Sequence, residues 1–190
     1  MAVQKYGKEK DDEILLLLRE NPERGFRMLF DVYHMQLCVY ATQLTNSFQL
    51  AEDIVQDFFM AFWEKKYYRR VSENFRSYLY TSVHNAALAT LKKRNLISTE
   101  EMTGIAVEIP LEGQYEQEEL ERREKELMQK LSLLSPQELT AVKAVILENK
   151  KYAEAALESQ VSVGTLKTYL ARALKKLRKD YNLSLLFYSY

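Results

Sequence analysis

Near the end of the chain, "SVGTLKTYLARALKKLR" (162–178) gathers Lys167, Arg172, Lys175, Lys176 and Arg178, five cations spaced to meet a row of phosphates. Wound at 100° per residue, Leu166, Leu170, Ala173, Leu174 and Leu177 fall within about 100° of one another, with Thr165, Thr168, Arg172, Lys175 and Lys179 opposite. One face packs and the other is polar and basic. The short run "YAEAALES" precedes it through "QVS", and Ser162 stands where an N-cap belongs. This is a helix-turn-helix layout, whose second helix enters the major groove. Ser162, Thr165 and Thr168 offer hydroxyls to bases or phosphates, and Lys167, Arg172 and Lys175 reach backbone oxygens. The competing reading is an amphipathic helix with a solvated outer face and no ligand.

"KKYYRRVSENFR" (65–76) interleaves rings with cations, as single-stranded DNA binding requires: Tyr67 and Tyr68 to stack on bases, Arg69 and Arg70 to follow phosphates. The same tyrosines would serve equally as core residues at a domain edge. Just before them, "FQLAEDIVQDFFMAFWEKK" puts Ala51, Ile54, Val55, Phe58 and Phe62 on a buried stripe. Asp53, Gln56, Met60, Trp63 and Glu64 are left pointing away. A Trp and a Met among acids indicate a docking surface; the alternative folds Trp63 back onto the domain.

Catalytic chemistry has no comparable footing. His34 and His84 lie on separate predicted helices without a paired Cys or spaced acids, so neither metal binding nor acid-base work is expected. Neither a Gly-rich phosphate loop nor a serine-nucleophile motif occurs, and no cofactor or enzymatic activity is expected. The single cysteine, Cys38, excludes an internal disulfide and fits a reducing compartment.

Helices must position these residues. With 5 Gly and 3 Pro in 190 residues, the turns of a many-stranded sheet are missing, and the fold class is all-α. "DDEILLLLRE" starts with acids and ends at Asn21-Pro22. In "ERGFRMLFDVYHMQLCVYATQL", Phe26, Leu29, Phe30, Tyr33, Leu37 and Tyr40 recur three or four apart. "FRSYLYTSVHNAALATLKKR" closes a first helical domain over residues 10–96. From 97 to 114 periodicity lapses around Thr103-Gly104, Pro110 and Gly113, which marks a linker. A second helical domain follows over 115–183, with Leu120, Leu127, Leu131 and Leu134 on one stripe and Ser135-Pro136 opening the next helix.

Equal numbers of bases and acids, 27 each, argue against non-specific coating of nucleic acid. Their distribution is uneven: 14 bases to 12 acids over 1–96, 3 to 10 over 97–126, and 10 to 5 over 127–190. An acidic middle separates two basic ends. The acid-led leucine run near the start is too short for a signal core, and no segment reaches 18 apolar residues, so the chain reads as cytoplasmic with no membrane insertion. On residues alone, a helix-turn-helix regulator that binds an operator unaided and a helical scaffold with no DNA role both remain open.

Residues 134–178, with "SVGTLK" opening the last helix, resemble region four of bacterial sigma factors, above all the small extracytoplasmic-function group. "LAEDIVQDFFMAFWEK" (50–65) is similar to that family's region two signature, and the helix carrying Asn85 before a basic end matches further on. Two signatures in the family's order are more specific than either alone, and the likeness spans about residues 10–182. It implies a factor that brings the RNA polymerase core enzyme to promoters and helps open them. Glu52, Asp53, Gln56, Asp57 and Trp63 would meet the polymerase. Tyr67, Tyr68, Arg69, Arg70, Asn85, Lys92 and Arg94 would hold melted minus-ten DNA. Ser162, Thr165, Lys167, Thr168, Arg172 and Lys175 would read duplex minus-thirty-five DNA. The resemblance also implies that the acidic linker threads polymerase channels, and it adds an anti-sigma factor as a candidate partner. Departures are Glu154-Ala155-Ala156 with Ser159 and Gln160, where the family has Glu-Ile-Ala, a buried Leu and a turn Gly, and Ala89, where an acid is common. Beyond the family's usual end, "LSLLFYSY" (183–190) either covers the gap left by Ala155 and Ser159 or offers a partner an apolar strip.

Overall fold

Asn21-Pro22 ends one helix and starts the next. The Asn21 side chain accepts a hydrogen bond from the Arg24 amide at 3.1 Å, and Pro22 occupies the first turn, where its missing N–H costs nothing. In a computed structural model that describes residues 2–71, 74–96 and 117–178, this pair separates α1 (Ala2–Glu20) from α2 (Pro22–Thr45). Helix α1 starts well before the acid-led run that predicts it. Asn46 closes α2 in the left-handed region at φ 59°, and Ser47 caps α3 (Phe48–Glu64) by accepting from the Leu50 amide at 3.2 Å. A 3₁₀ turn (Tyr67–Arg69) and Asn74, again left-handed, lead into α4 (Phe75–Lys93).

Helix α2 is the axis of this bundle. Leu29, Tyr33, Leu37 and Tyr40 are buried as their spacing predicts, but so are Met35, Cys38, Val39 and Ala41. The helix is enclosed on several sides by α1, α3 and α4. Phe26 and Phe30, placed on the same stripe by periodicity, lie at its open end and keep partial exposure. A close approach fixes α1 against α2, since a Cβ on Gly25 would fall 2.4 Å from the Leu18 nitrogen. One polar network crosses the bundle. The Tyr33 hydroxyl donates to Asp11, and Arg76 donates from Nε to the same hydroxyl at 3.1 Å and pairs with Asp11 at 3.5 Å. Burial raises Asp11 above the ordinary carboxylate value and pushes the Tyr33 phenol well up, which keeps that hydroxyl a donor.

The second group holds α5 (Gln117–Leu131), α6 (Pro136–Val142, running on as a π turn, Lys143–Leu147), α7 (Tyr152–Glu158) and α8 (Val163–Leu177). Leu127, Leu131 and Leu134 are buried as expected. Ser135 and Glu138 form a reciprocal capping box, and Glu138 also accepts from Lys176 Nζ at 2.7 Å, which ties α6 to the end of α8. Those bonds hold the Glu138 carboxyl below its usual value, the Lys176 bond first among them. Among the described residues every element is helical, with no strand. The expected linker (97–114) and the tail (183–190) lie outside the described residues.

Candidate nucleic-acid interface

Helix α8 is built as its sequence requires. Ser162 caps it, its Oγ accepting from the Thr165 amide at 3.0 Å, and Leu166, Leu170, Ala173, Leu174 and Leu177 form the buried face. Helix α7 packs against it, and the turn between them closes through Val161 N–H to the Ala156 carbonyl at 3.0 Å. That turn passes through Gln160 at φ 55°, a left-handed residue with a side chain where glycine is the unstrained choice.

Arg172 and Lys175 stand exposed on the outer face of α8, free to meet phosphates. The hydroxyls are less available. Ser162 serves its cap and shares a 2.8 Å bond with Thr165 Oγ1, while Thr168 donates to the Gly164 carbonyl at 2.9 Å. Lys167 is engaged elsewhere, with Glu52 on α3.

Along α3, Asp53, Gln56, Asp57, Met60 and Glu64 are exposed on one face. Three expectations need correction here. Glu52, expected at the docking surface, is buried: its side chain is 7% exposed and accepts from Lys167 Nζ at 3.0 and 3.1 Å and from the Tyr152 hydroxyl at 2.8 Å. Trp63 does not stand free but lies half-buried, 5.0 Å from the Phe26 ring and stacked on Tyr68 at 5.7 Å, because the exposed end of α2 offers it aromatic surface. Phe58 cedes its place on the stripe to Phe59, whose ring meets Phe26 and Phe30 at 5.9 and 5.0 Å. Between Glu23, Phe26, Arg27, Phe30 and Trp63 lies an open cleft of about 450 Å³.

Behind α3, Tyr68 is buried against Phe62 and Trp63, so this ring belongs to the core and is not offered to a base. Tyr67 is half-buried, with Lys65 Nζ 5.9 Å over its ring. Arg69 and Arg70 are exposed, and so are Asn85 and Lys92 on α4 and Arg94 just past its end. The basic and polar members of the predicted set therefore share the surface, and one of its two aromatic members drops out.

His34, expected to lack a cysteine partner, has one: Cys38 Sγ lies 3.8 Å from its Nε2, one turn along α2. Burial lowers the His34 pKa and raises that of Cys38, so the ring is held neutral and the thiol protonated. Among the described residues no group of three His, Cys, Asp or Glu could hold a metal ion. His84 Nδ1 lies 2.9 Å from the Tyr40 hydroxyl; burial lowers the imidazole pKa and pushes the phenol up to about 12.

Sequence reasoning missed Tyr152 and Asn149. Tyr152 spreads its ring under Lys167, with Nζ 4.6 Å from the centroid, and burial pushes its phenol well up. Asn149 Nδ2 donates to the Asp31 carbonyl on α2 at 3.0 Å. Partners 100 and 118 positions away leave no mark on local periodicity.

A helical bundle with an exposed acidic face is followed by a capped helix-turn-helix with an exposed basic face, the layout of a DNA-directed transcription factor. The family model described as Sigma-70 region 2 matches residues 29–97, and that described as Sigma-70, region 4 matches residues 124–177. Together they cover more than half of the chain, which belongs to the sigma-70 family and is a sigma factor of the extracytoplasmic-function type. It directs RNA polymerase core enzyme to promoter DNA for transcription initiation. No curated protein matches the chain. Among the described residues no helix is long and apolar enough to cross a membrane.

Proposed function

We propose that the two halves divide the work at residue level. Residues 10–96 hold the polymerase through Asp53, Gln56 and Asp57, with the half-buried Trp63 at the margin of that face. The same half takes the melted minus-ten strand on Arg69, Arg70, Asn85, Lys92 and Arg94, with the half-buried Tyr67 as the ring that stacks. Residues 115–183 read the minus-thirty-five duplex through α8, led by Arg172 and Lys175, with Thr165, Lys167 and Thr168 at its first turns. Residues 97–114 form the acidic tether. The factor carries out no chemistry of its own, works in the cytoplasm, and is a candidate for capture by an anti-sigma factor that would cover the α3 face.

The observation that carries this reading is the separation of faces on α3. Asp53, Gln56, Asp57 and Met60 are exposed together, while Ala51, Val55, Phe59 and Phe62 are buried behind them. Acids on a rigid, capped helix present fixed negative charge to a basic partner surface. Pulldown of core polymerase by the parent and by Asp53→Arg tests it. A loss of tenfold or more in capture, with promoter-directed transcription falling in parallel, is expected. Equal capture by both proteins would remove α3 as the docking helix.

A further inference from the structure

Arg76 ends the stretch of rings and cations at 65–76, yet it is not offered to a strand. Only 17% of its side chain is exposed. It donates from Nε to the Tyr33 hydroxyl at 3.1 Å and pairs with Asp11 at 3.5 Å, and its guanidinium lies 5.9 Å from the Tyr33 ring. Its place in the helix explains the pairing. Arg76 is the second residue of α4, where the helix dipole repels a cation, and α4 has no acid of its own in its first turn. Asn74, just before, gives no side-chain cap. Tertiary contacts therefore hold the start of α4: Asp11 from α1 faces Arg76, and Tyr33 from α2 donates to Asp11 and meets the Phe75 ring edge-on at 6.0 Å.

Arg69 and Arg70 sit on one piece of backbone, Asn85 and Lys92 on another. Left-handed residues at Lys66, φ 53°, and Asn74, φ 57°, set the Tyr67–Arg69 turn off from α3 and α4, so packing and not helix continuity fixes its angle to α4. Tyr68 and Val71 pin this segment to the core. Helix α1 touches the turn and reaches α4 through Asp11. A strand that meets Arg69 and Arg70 must run on to Asn85, about 14 Å along α4 from Arg76. A tilt of the turn would forfeit one set of contacts or the other. Building on the assignment of both sets to the melted minus-ten strand, we infer that Asp11, Tyr33 and Arg76 are positioning residues for strand capture: they fix the turn and the start of α4 in one register, and α1 thereby takes part in promoter opening. Affinity for the strand falls in proportion to the fraction of molecules that hold this register.

Tyr33→Phe removes the hydroxyl that joins both charges and keeps the ring against Phe75. Parent and variant, each as the full chain assembled with core polymerase, are compared for binding of a labelled single-stranded minus-ten oligonucleotide. Capture of core polymerase and binding of a minus-thirty-five duplex serve as controls. The expected result is about tenfold weaker single-strand binding with both controls unchanged. Single-strand binding equal to the parent's overturns the inference, and so does an equal loss in all three, which marks general damage to the fold. The chain's one tryptophan supplies a readout without DNA. Trp63 stacks on Tyr68 at 5.7 Å, so displacement of the turn should shift Trp63 emission while far-ultraviolet circular dichroism stays constant. Emission identical to the parent's overturns the inference. Should Tyr33→Phe fail to fold, Arg76→Gln carries the same two expectations, and Arg76→Lys, which keeps a charge opposite Asp11, should recover part of the binding; a lysine variant no better than the glutamine one overturns the inference as well. Arg69→Ala combined with Arg70→Ala judges the underlying assignment. Normal single-strand binding by that variant would strike the assignment of the turn to DNA, whereas loss there and none in Tyr33→Phe strikes the positioning alone.

Discussion

Lys167 Nζ and the Glu52 carboxylate meet at 3.0 Å although 115 positions separate them. The contact joins the most acidic stretch of α3 to the start of the helix proposed to read duplex DNA, so the electrostatic character of each face depends on whether the other is present. Arg172 and Lys175, one and two turns further along α8, take no part in it and remain exposed.

Those two residues are the ones proposed to lead contact with the duplex. Arg172→Ala and Lys175→Ala should each weaken binding to promoter duplex by several-fold across sequences and reduce the salt slope by about one phosphate contact, as expected for backbone cations. Titration of labelled duplex at several salt concentrations measures both. An unchanged slope would take these side chains off the DNA.

Gly25 sets how closely α1 approaches α2. A Cβ there meets the Leu18 nitrogen at 2.4 Å and the Leu17 carbonyl carbon at 2.6 Å, and backbone atoms cannot swing aside. Gly25→Ala should destabilise the first bundle by about 1–3 kcal/mol despite the better helix propensity of alanine. Chemical denaturation followed by circular dichroism gives the value; a neutral or stabilising result would mean that α1 is not packed this closely.

Acidification should weaken the same bundle. Burial holds His34 and His84 below the ordinary histidine value. As pH falls past about 6.5 the unfolded chain therefore takes up protons before the native one does. Stability is complete above that pH and is lost as the pH falls through the native values. Thermal melts at pH 7.5 and 5.5 should show a lower melting temperature at 5.5, with a smaller fall in His34→Gln. An equal fall in the variant would exclude His34 as a contributor.

Much of this was legible because it is local. Helix faces follow from apolar spacing, and Ser135 and Ser162 stand as N-caps where a short polar side chain precedes a periodic run. What escaped is what distance in sequence hides. The difference between a solvated Glu52 and a buried one lies in α7 and α8, not in α3. Tyr68 reads as a stacking ring next to two arginines, yet the chain reverses at Lys66, φ 53°, and turns that ring onto Trp63. The π turn at Lys143–Leu147 carries no composition signal, since its buried Ala144, Val145 and Ile146 would read as the apolar face of an ordinary helix.

Gln160 supplies the last prediction. The turn between α7 and α8 needs a left-handed residue, and its bonds, Gln160 N–H to the Leu157 carbonyl at 3.1 Å and Val161 N–H to the Ala156 carbonyl at 3.0 Å, hold it there despite the Cβ. That conformation costs a residue with a side chain about 1–2 kcal/mol, and glycine escapes most of it while giving back part in unfolded-state entropy. Gln160→Gly should therefore stabilise the second half by about 0.5–1 kcal/mol. Gln160→Ala, which keeps the Cβ, should bring no gain, so the pair separates backbone strain from loss of the amide. If both substitutions raise the denaturation midpoint equally, the strain at this turn is not what limits it; if glycine alone does, the helix-turn-helix carries a removable local cost.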